Sequence, residues 1–131
     1  KCAAGTGRFL EVMATALGLD VSELGNVEEL PQKVVINSMC TVFAETEIIG
    51  LLAQGVSKGG VVAGMNQAVG KRVAAMVRRL GLRERIAFTG GVAKNRGVER
   101  ALTEELGCPL VVPEECQFTG ALGAALFACG R

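Results

Sequence analysis

The sequence predicts an α/β domain, and three observations carry the prediction. Eighteen glycines divide the 131 residues into apolar segments of two lengths. The longer segments repeat apolar residues at spacings of three and four, the pattern of a helix with one buried face. The shorter ones are unbroken aliphatic runs, and the last two are each followed by a turn and a helix. Strand, glycine-rich turn, helix, strand, helix is the order of a layer whose parallel strands are joined by helical crossovers.

Phe9, Val12, Met13, Ala16 and Leu17 mark the inner face of a first helix, which begins near Gly5 and Thr6 and stops at Gly18. Residues 20–32 are more polar, include Pro31, and read as a short helix or loop. Val34, Val35 and Ile36 predict a short strand over 33–37, buried on both faces. Helical spacing returns over 41–53, with Phe43, Ile48, Leu51 and Leu52 available for a core. Gly55, Gly59 and Gly60 break the chain before a long helix over about 61–80. Its inner stripe is Met65, Ala68, Val69, Val73, Met76 and Leu80, while Lys71, Arg72, Arg78 and Arg79 form a solvated face. A strand over 85–88 runs into a Gly-Gly turn, and a helix spans about 95–106. A strand over 110–112 and an Ala-rich helix over about 120–129 complete the order, with Gly120 and Gly123 placed to let that helix pack closely on a neighbour.

Composition removes several function classes. Fourteen basic against thirteen acidic residues leave a formal charge of +1, so nothing favours a nucleic-acid partner. The longest uncharged stretch, residues 116–130, is shorter than the roughly 18–20 apolar residues that span a bilayer, so no membrane role is expected. No histidine is present, which excludes His-based triads, His-ligated metals and His proton shuttles. Five cysteines without CxxC spacing argue against a zinc knuckle or a thioredoxin-type pair, and their odd number suits a reducing cytoplasm.

Two of those cysteines, Cys2 and Cys40, each sit just ahead of a predicted helix, the second followed by Thr41 as a candidate N-cap. The free N–H groups and positive end of a helix favour a thiolate. Two thiolates cannot complete a 4Fe–4S shell, which takes four, but a twofold dimer supplies the missing pair. The competing reading is that they are small buried hydrophobes, the reading adopted for Cys108, Cys116 and Cys129.

Thr89-Gly90-Gly91-Val92-Ala93-Lys94-Asn95 joins a strand to a helix. Paired glycines there let a ligand lie on bare backbone, and a positive φ is expected at Gly91. The segment is neither a Walker A loop nor GxGxxG, and Gly-Gly after a strand also serves simply as a tight turn.

Longer motifs add a resemblance. Lys1-Cys2-Ala3-Ala4-Gly5-Thr6-Gly7-Arg8-Phe9-Leu10-Glu11 and Met39-Cys40-Thr41-Val42-Phe43-Ala44-Glu45 closely resemble segments of the activators of 2-hydroxyacyl-CoA dehydratases. These CoA-substrate-specific enzyme activases, of the BadF/BadG/BcrA/BcrD type, belong with the ATPase subunits of benzoyl-CoA reductase. Phe88 through Asn95 resembles their adenosine motif, and the segment from Gln117 to Ala125 resembles their final helix. The likeness runs essentially from Lys1 to the C-terminus.

The resemblance implies an actin-like ATPase fold, shared with acetate kinase, sugar kinases and heat-shock chaperones. It implies an adenosine site bordered by Gly90, Gly91, Val92 and Asn95, and a homodimer bridged by one 4Fe–4S cluster on Cys2 and Cys40 of each chain. ATP hydrolysis with Mg2+ would then drive one low-potential electron, received from reduced ferredoxin or flavodoxin, to a partner dehydratase. The family's phosphate loops lie upstream of its first cluster cysteine, and no DxGxT-like or DxGG-like loop occurs in residues 1–131. The chain is therefore expected to be a C-terminal portion, a single domain that does not hydrolyse ATP by itself. The rival expectations are an ATPase subunit of a benzoyl-CoA reductase-type complex and a non-catalytic actin-like nucleotide- or protein-binding module.

Overall fold

A computed structural model describes residues 5–26, 34–37, 40–81 and 85–130. Five α-helices and two short strands follow one another in it: α1 Thr6–Leu17, α2 Thr41–Ala53, α3 Lys58–Leu80, β1 Ile86–Ala87, α4 Arg96–Leu106, β2 Leu110–Val111 and α5 Thr119–Ala128. Short 3₁₀ turns at Glu23–Gly25 and Gly91–Lys94 complete the order.

Helix α1 ends where a left-handed residue is needed. Gly18 adopts φ 66°, and Leu19 closes the cap by donating its N–H to the Ala14 carbonyl at 2.9 Å. Its buried face is Phe9, Leu10, Met13, Ala14 and Leu17, rotated slightly from the expected stripe, with Val12 and Ala16 half-buried. Met13, Leu17 and Ile48 of α2 are almost wholly enclosed, each contributing about 1.5–3 kcal/mol through removal of apolar surface from water. They join Val61, Val62, Met65 and Val69 of α3 in the main core.

Helix α3 starts three residues earlier than the spacing predicts, at Lys58. Ser57 caps it, its hydroxyl oxygen accepting the Gly60 N–H at 3.1 Å, and Gly59 and Gly60 are buried within the first turn rather than breaking the chain. Its far end is more exposed than expected: Met76 and Leu80 face solvent, and Ala74 takes the buried position. In α2, Phe43 is likewise exposed while Ile48 is buried.

Helix α4 lies along α3, so close that a Cβ built on Gly70 would stand 2.8 Å from the Ala101 Cβ. A second, smaller core fills the space between them and the strands, from Ala74, Leu102 and Leu106 with Ile86, Phe88 and Leu110. The strands pair in parallel, Ile86 with Leu110 and Ala87 with Val111, so β1–α4–β2 is the crossover unit that the element order predicts.

Two expectations are corrected. Residues 34–37 form no strand: Val34 is half-buried, Val35 exposed and Ile36 buried, an alternation incompatible with burial on both faces. The segment instead runs against α3, where the carbonyl of Val34 occupies the space a side chain on Gly64 would need. Helix α5 has no buried residue, and a Cβ on Gly120 or Gly123 would meet nothing within 4 Å. No described element covers it, so the close packing expected of those glycines is not seen, and Leu122, Leu126 and Phe127 lie exposed. Among the described residues, no helix is long and apolar enough to cross a membrane.

Candidate functional site

The turn between β1 and α4 is built on two different glycines. Gly90 holds φ 91° and ψ 177°, a region open essentially to glycine alone. Gly91 lies outside the positive-φ range, so the strain expected at Gly91 belongs to Gly90. Gly91 opens the 3₁₀ turn Gly91–Lys94, which Asn95 N–H closes onto the Val92 carbonyl at 2.9 Å. Asn95 then caps α4, its Oδ1 accepting the N–H groups of Gly97 at 2.9 Å and Val98 at 3.1 Å, an arrangement typically worth about 1 kcal/mol. Its Nδ2 is buried with no partner among the described residues.

A second turn leans on the first. The Cys116 carbonyl accepts the Gly90 N–H at 2.8 Å and the Thr119 hydroxyl at 2.7 Å, which sets the following residue, Gln117, beside Gly91. A third comes from the segment after α1. Asp20 accepts the N–H and hydroxyl of Ser22 at 2.8 and 2.6 Å, while Glu23 reaches back to the Asp20 N–H at 2.6 Å. The Asp20 side chain thus forms an Asx turn on Ser22 with Glu23 folded back onto it, and the Ser22 hydroxyl, then its N–H, holds the Asp20 carboxyl below its ordinary pKa. Gly25 of this segment packs on the start of α4, where a Cβ would stand 3.0 Å from the Arg96 nitrogen.

These pieces enclose an open cavity of about 690 Å³. That is within the range of small-molecule sites, roughly 300–1,000 Å³. Gly7, Leu10 and Glu11 of α1 form one wall, Val21, Ser22 and Asn26 another, and Gly91, Val92 and Asn95 a third. Lys94, Arg96 and Gln117 complete it. The Glu11 carboxylate is bound by Arg8 at 2.8 Å on the exposed side of α1. The cavity thus offers bare backbone and aliphatic surface with a few polar groups at its edge.

Of the residues singled out from the sequence, Gly91, Val92 and Asn95 are brought together on this wall, and Gly90 shapes it from behind through its bond to Cys116. Sequence reasoning missed Gly7 and Glu11, the Val21–Asn26 contribution and Gln117. The signals present were the turn-forming Asp20-Val21-Ser22 segment and the placement of Gly7, Leu10 and Glu11 on one helical face.

Cys2 lies outside the described residues. Cys40 is half-buried and itself occupies the N-cap of α2, in place of Thr41, which becomes the first helical residue and is buried. Its side chain makes no capping hydrogen bond, so the sulfur is not spent on the helix. Cys40 is not part of the cavity wall. Among the described residues no three His, Cys, Asp or Glu side chains gather as a metal site. Cys116 is buried, Cys108 half-buried and Cys129 exposed.

Known proteins of this shape carry the comparison further. The activator of the 2-hydroxyisocaproyl-CoA dehydratase from Clostridium difficile, solved with bound ADPNP, superposes with a TM-score of 0.91 at 48% identity, covering 98% of this chain and 48% of that one. The (R)-2-hydroxyglutaryl-CoA dehydratase component A of Acidaminococcus fermentans gives 0.91 at 46% identity over 97% of this chain and 49% of its own. A benzoyl-CoA reductase subunit of Thauera aromatica is more distant, 30% identical over 100% of this chain and 49% of that protein. The chain spans about half the length of the curated relatives it matches. The fold is that of the actin-like ATPases. With residues 1–128 matched by the family's own model, the chain belongs to the BadF/BadG/BcrA/BcrD ATPase family.

Proposed function

We propose that this chain is part of an ATP-dependent activator of a 2-hydroxyacyl-CoA dehydratase and that it supplies the adenosine wall. The observation that carries the reading is the cavity beside the Gly-Gly turn, together with a relative of the same shape that was solved with bound ADPNP. Gly90, Gly91, Val92 and Asn95 form or shape the surface against which a nucleoside would lie. Groups for the phosphates and Mg2+ come, in this reading, from outside residues 1–131. These residues are then a C-terminal domain, and the exposed apolar side chains of α5 pack on the remainder of the protein.

The same reading places one 4Fe–4S cluster on the axis of a homodimer, held by Cys2 and Cys40 of each chain. What supports it is the chemistry of Cys40, whose thiol at a helix N-terminus makes no capping bond to that helix and suits an anionic cluster. One chain offers too few thiols at that place for a four-cysteine shell, so two chains are needed. The cluster would supply one-electron chemistry, accepting from reduced ferredoxin or flavodoxin and delivering to the dehydratase. Membership of a benzoyl-CoA reductase-type complex is the second reading, favoured only by the 30% relative against 46–48% for the activators.

The test is reconstitution. The intact protein, prepared without oxygen, should make a 2-hydroxyacyl-CoA dehydratase active only when ATP and a low-potential reductant are both present. Activation independent of ATP, or none in the presence of bound iron and nucleotide, contradicts the reading.

A further inference from the structure

Asn66 is 1% exposed, in a helix whose other buried residues are all glycine or apolar. It lies where three elements meet. Its Nδ2 donates to the Leu24 carbonyl at 3.5 Å, in the turn that leads to Asn26. The Cβ that Gly97 lacks would stand 2.9 Å from the Asn66 Cγ and 3.2 Å from the Asn95 Oδ1, so α4 starts against this carboxamide with its cap residue alongside. Gly25 closes the junction, where a Cβ would stand 3.2 Å from the Asn95 Cα. Asn66 itself is not part of the cavity wall, but Ser22 and Asn26 on one side of the junction and Asn95 on the other belong to two different walls. The Asn66 Oδ1 is buried with no partner among the described residues. A leftover acceptor in a core is costly, and an aliphatic side chain would serve packing alone better.

We propose that Asn66 is a positioning residue for the nucleotide cavity: by holding the Leu24 turn and the start of α4 on one carboxamide, it fixes the spacing between two of the walls. The inference rests on the adenosine reading of the cavity and adds a residue behind the walls on which the cavity's width depends. The carboxamide suits the task because it is short, donates on one side and lies flat against a bare glycine on the other. In the adenosine reading these walls face the nucleoside rather than the phosphates. A change at Asn66 should therefore weaken ADP and ATP alike.

The experiment is calorimetric titration of ADP and ATP into the intact protein and its Asn66→Ala, Asn66→Asp, Gly25→Ala, Val69→Ala and Gly91→Val variants, each also unfolded in urea. Asn66→Ala removes the carboxamide, and Asn66→Asp keeps its shape without the donor to Leu24. Both should lower ADP and ATP affinity equally, by about threefold or more, as for residues that couple to a site without touching its ligand. Gly25→Ala, which pushes the turn off Asn95 from the other side, should do the same. Val69→Ala, three residues along the same helix in the main core, should lose stability yet bind both nucleotides as the parent does. Folded Asn66 variants that bind as the parent does, a loss confined to ATP, or an equal loss in Val69→Ala overturns the inference while the adenosine site stands. If the Asn66 variants do not fold, Gly25→Ala decides, and parental affinity there overturns it. ATP affinity untouched by Gly91→Val overturns the adenosine reading and this inference with it.

Discussion

The backbone N–H of Gly90 and the carbonyl of Cys116 are joined across 2.8 Å, and this single bond holds together the two turns that form one side of the cavity. It depends on the φ of 91° at Gly90, which a side chain would resist. A Gly90→Ala variant should therefore be destabilised by about 1–3 kcal/mol, the cost of holding such a conformation with a Cβ. Nucleotide affinity should fall as the turns separate. Urea unfolding and ATP titration measure the two effects, and a variant unchanged in both contradicts the geometry described for this turn.

Asn66 and Gly97 form a second dependence, between α3 and α4. Any side chain on Gly97 would enter the space of the buried Asn66 carboxamide, whose Nδ2 reaches the Leu24 carbonyl at 3.5 Å. Gly97→Ala should destabilise the protein by about 1–3 kcal/mol through overpacking. Combined with Asn66→Ala, which clears the space, the loss should be smaller than the sum of the two single losses. Additive losses in urea unfolding would show that the two residues do not share this contact.

Much of this arrangement was legible in the sequence because it rests on local rules. The apolar spacing in α1 and α2, the Gly18 stop and the β1–turn–α4–β2 order all follow from residues within a few positions of each other. Residues 34–37 misled because three aliphatic residues in a row describe a strand buried on both faces, whereas the partner that took them was the small-residue face of α3. The Gly120 and Gly123 spacing suggested a closely packed helix, but no described element covers α5, and a side chain at either glycine would meet open space. Half of the site wall was illegible for a related reason: Glu11, Ser22, Asn26 and Gln117 meet only in space, and ordinary polar residues carry no mark of what lies opposite.

The two cysteines ahead of α1 and α2 should behave differently from the rest. In intact protein prepared anaerobically, Cys2→Ser or Cys40→Ser should abolish bound iron, about four per dimer in the parent. Either change should also weaken the dimer, since a cluster that binds only the assembled state favours assembly by mass action. Cys108→Ser, Cys116→Ser and Cys129→Ser should leave iron content largely intact. Full iron retention after Cys40→Ser would contradict the proposed ligand set.

The account turns on whether the wall at Gly91 carries the adenosine of ATP. Gly91 needs no special φ, so valine there adds only bulk, placed 3.4 Å from Gln117 and on the cavity surface. The decisive measurement is ATP affinity, by calorimetry, of the intact protein with Gly91→Val against the parent, with folding verified by circular dichroism. The account predicts that affinity falls by about tenfold or more, as expected when a branched side chain takes up space a base must fill. An affinity equal to the parent's in a folded Gly91→Val protein would contradict it.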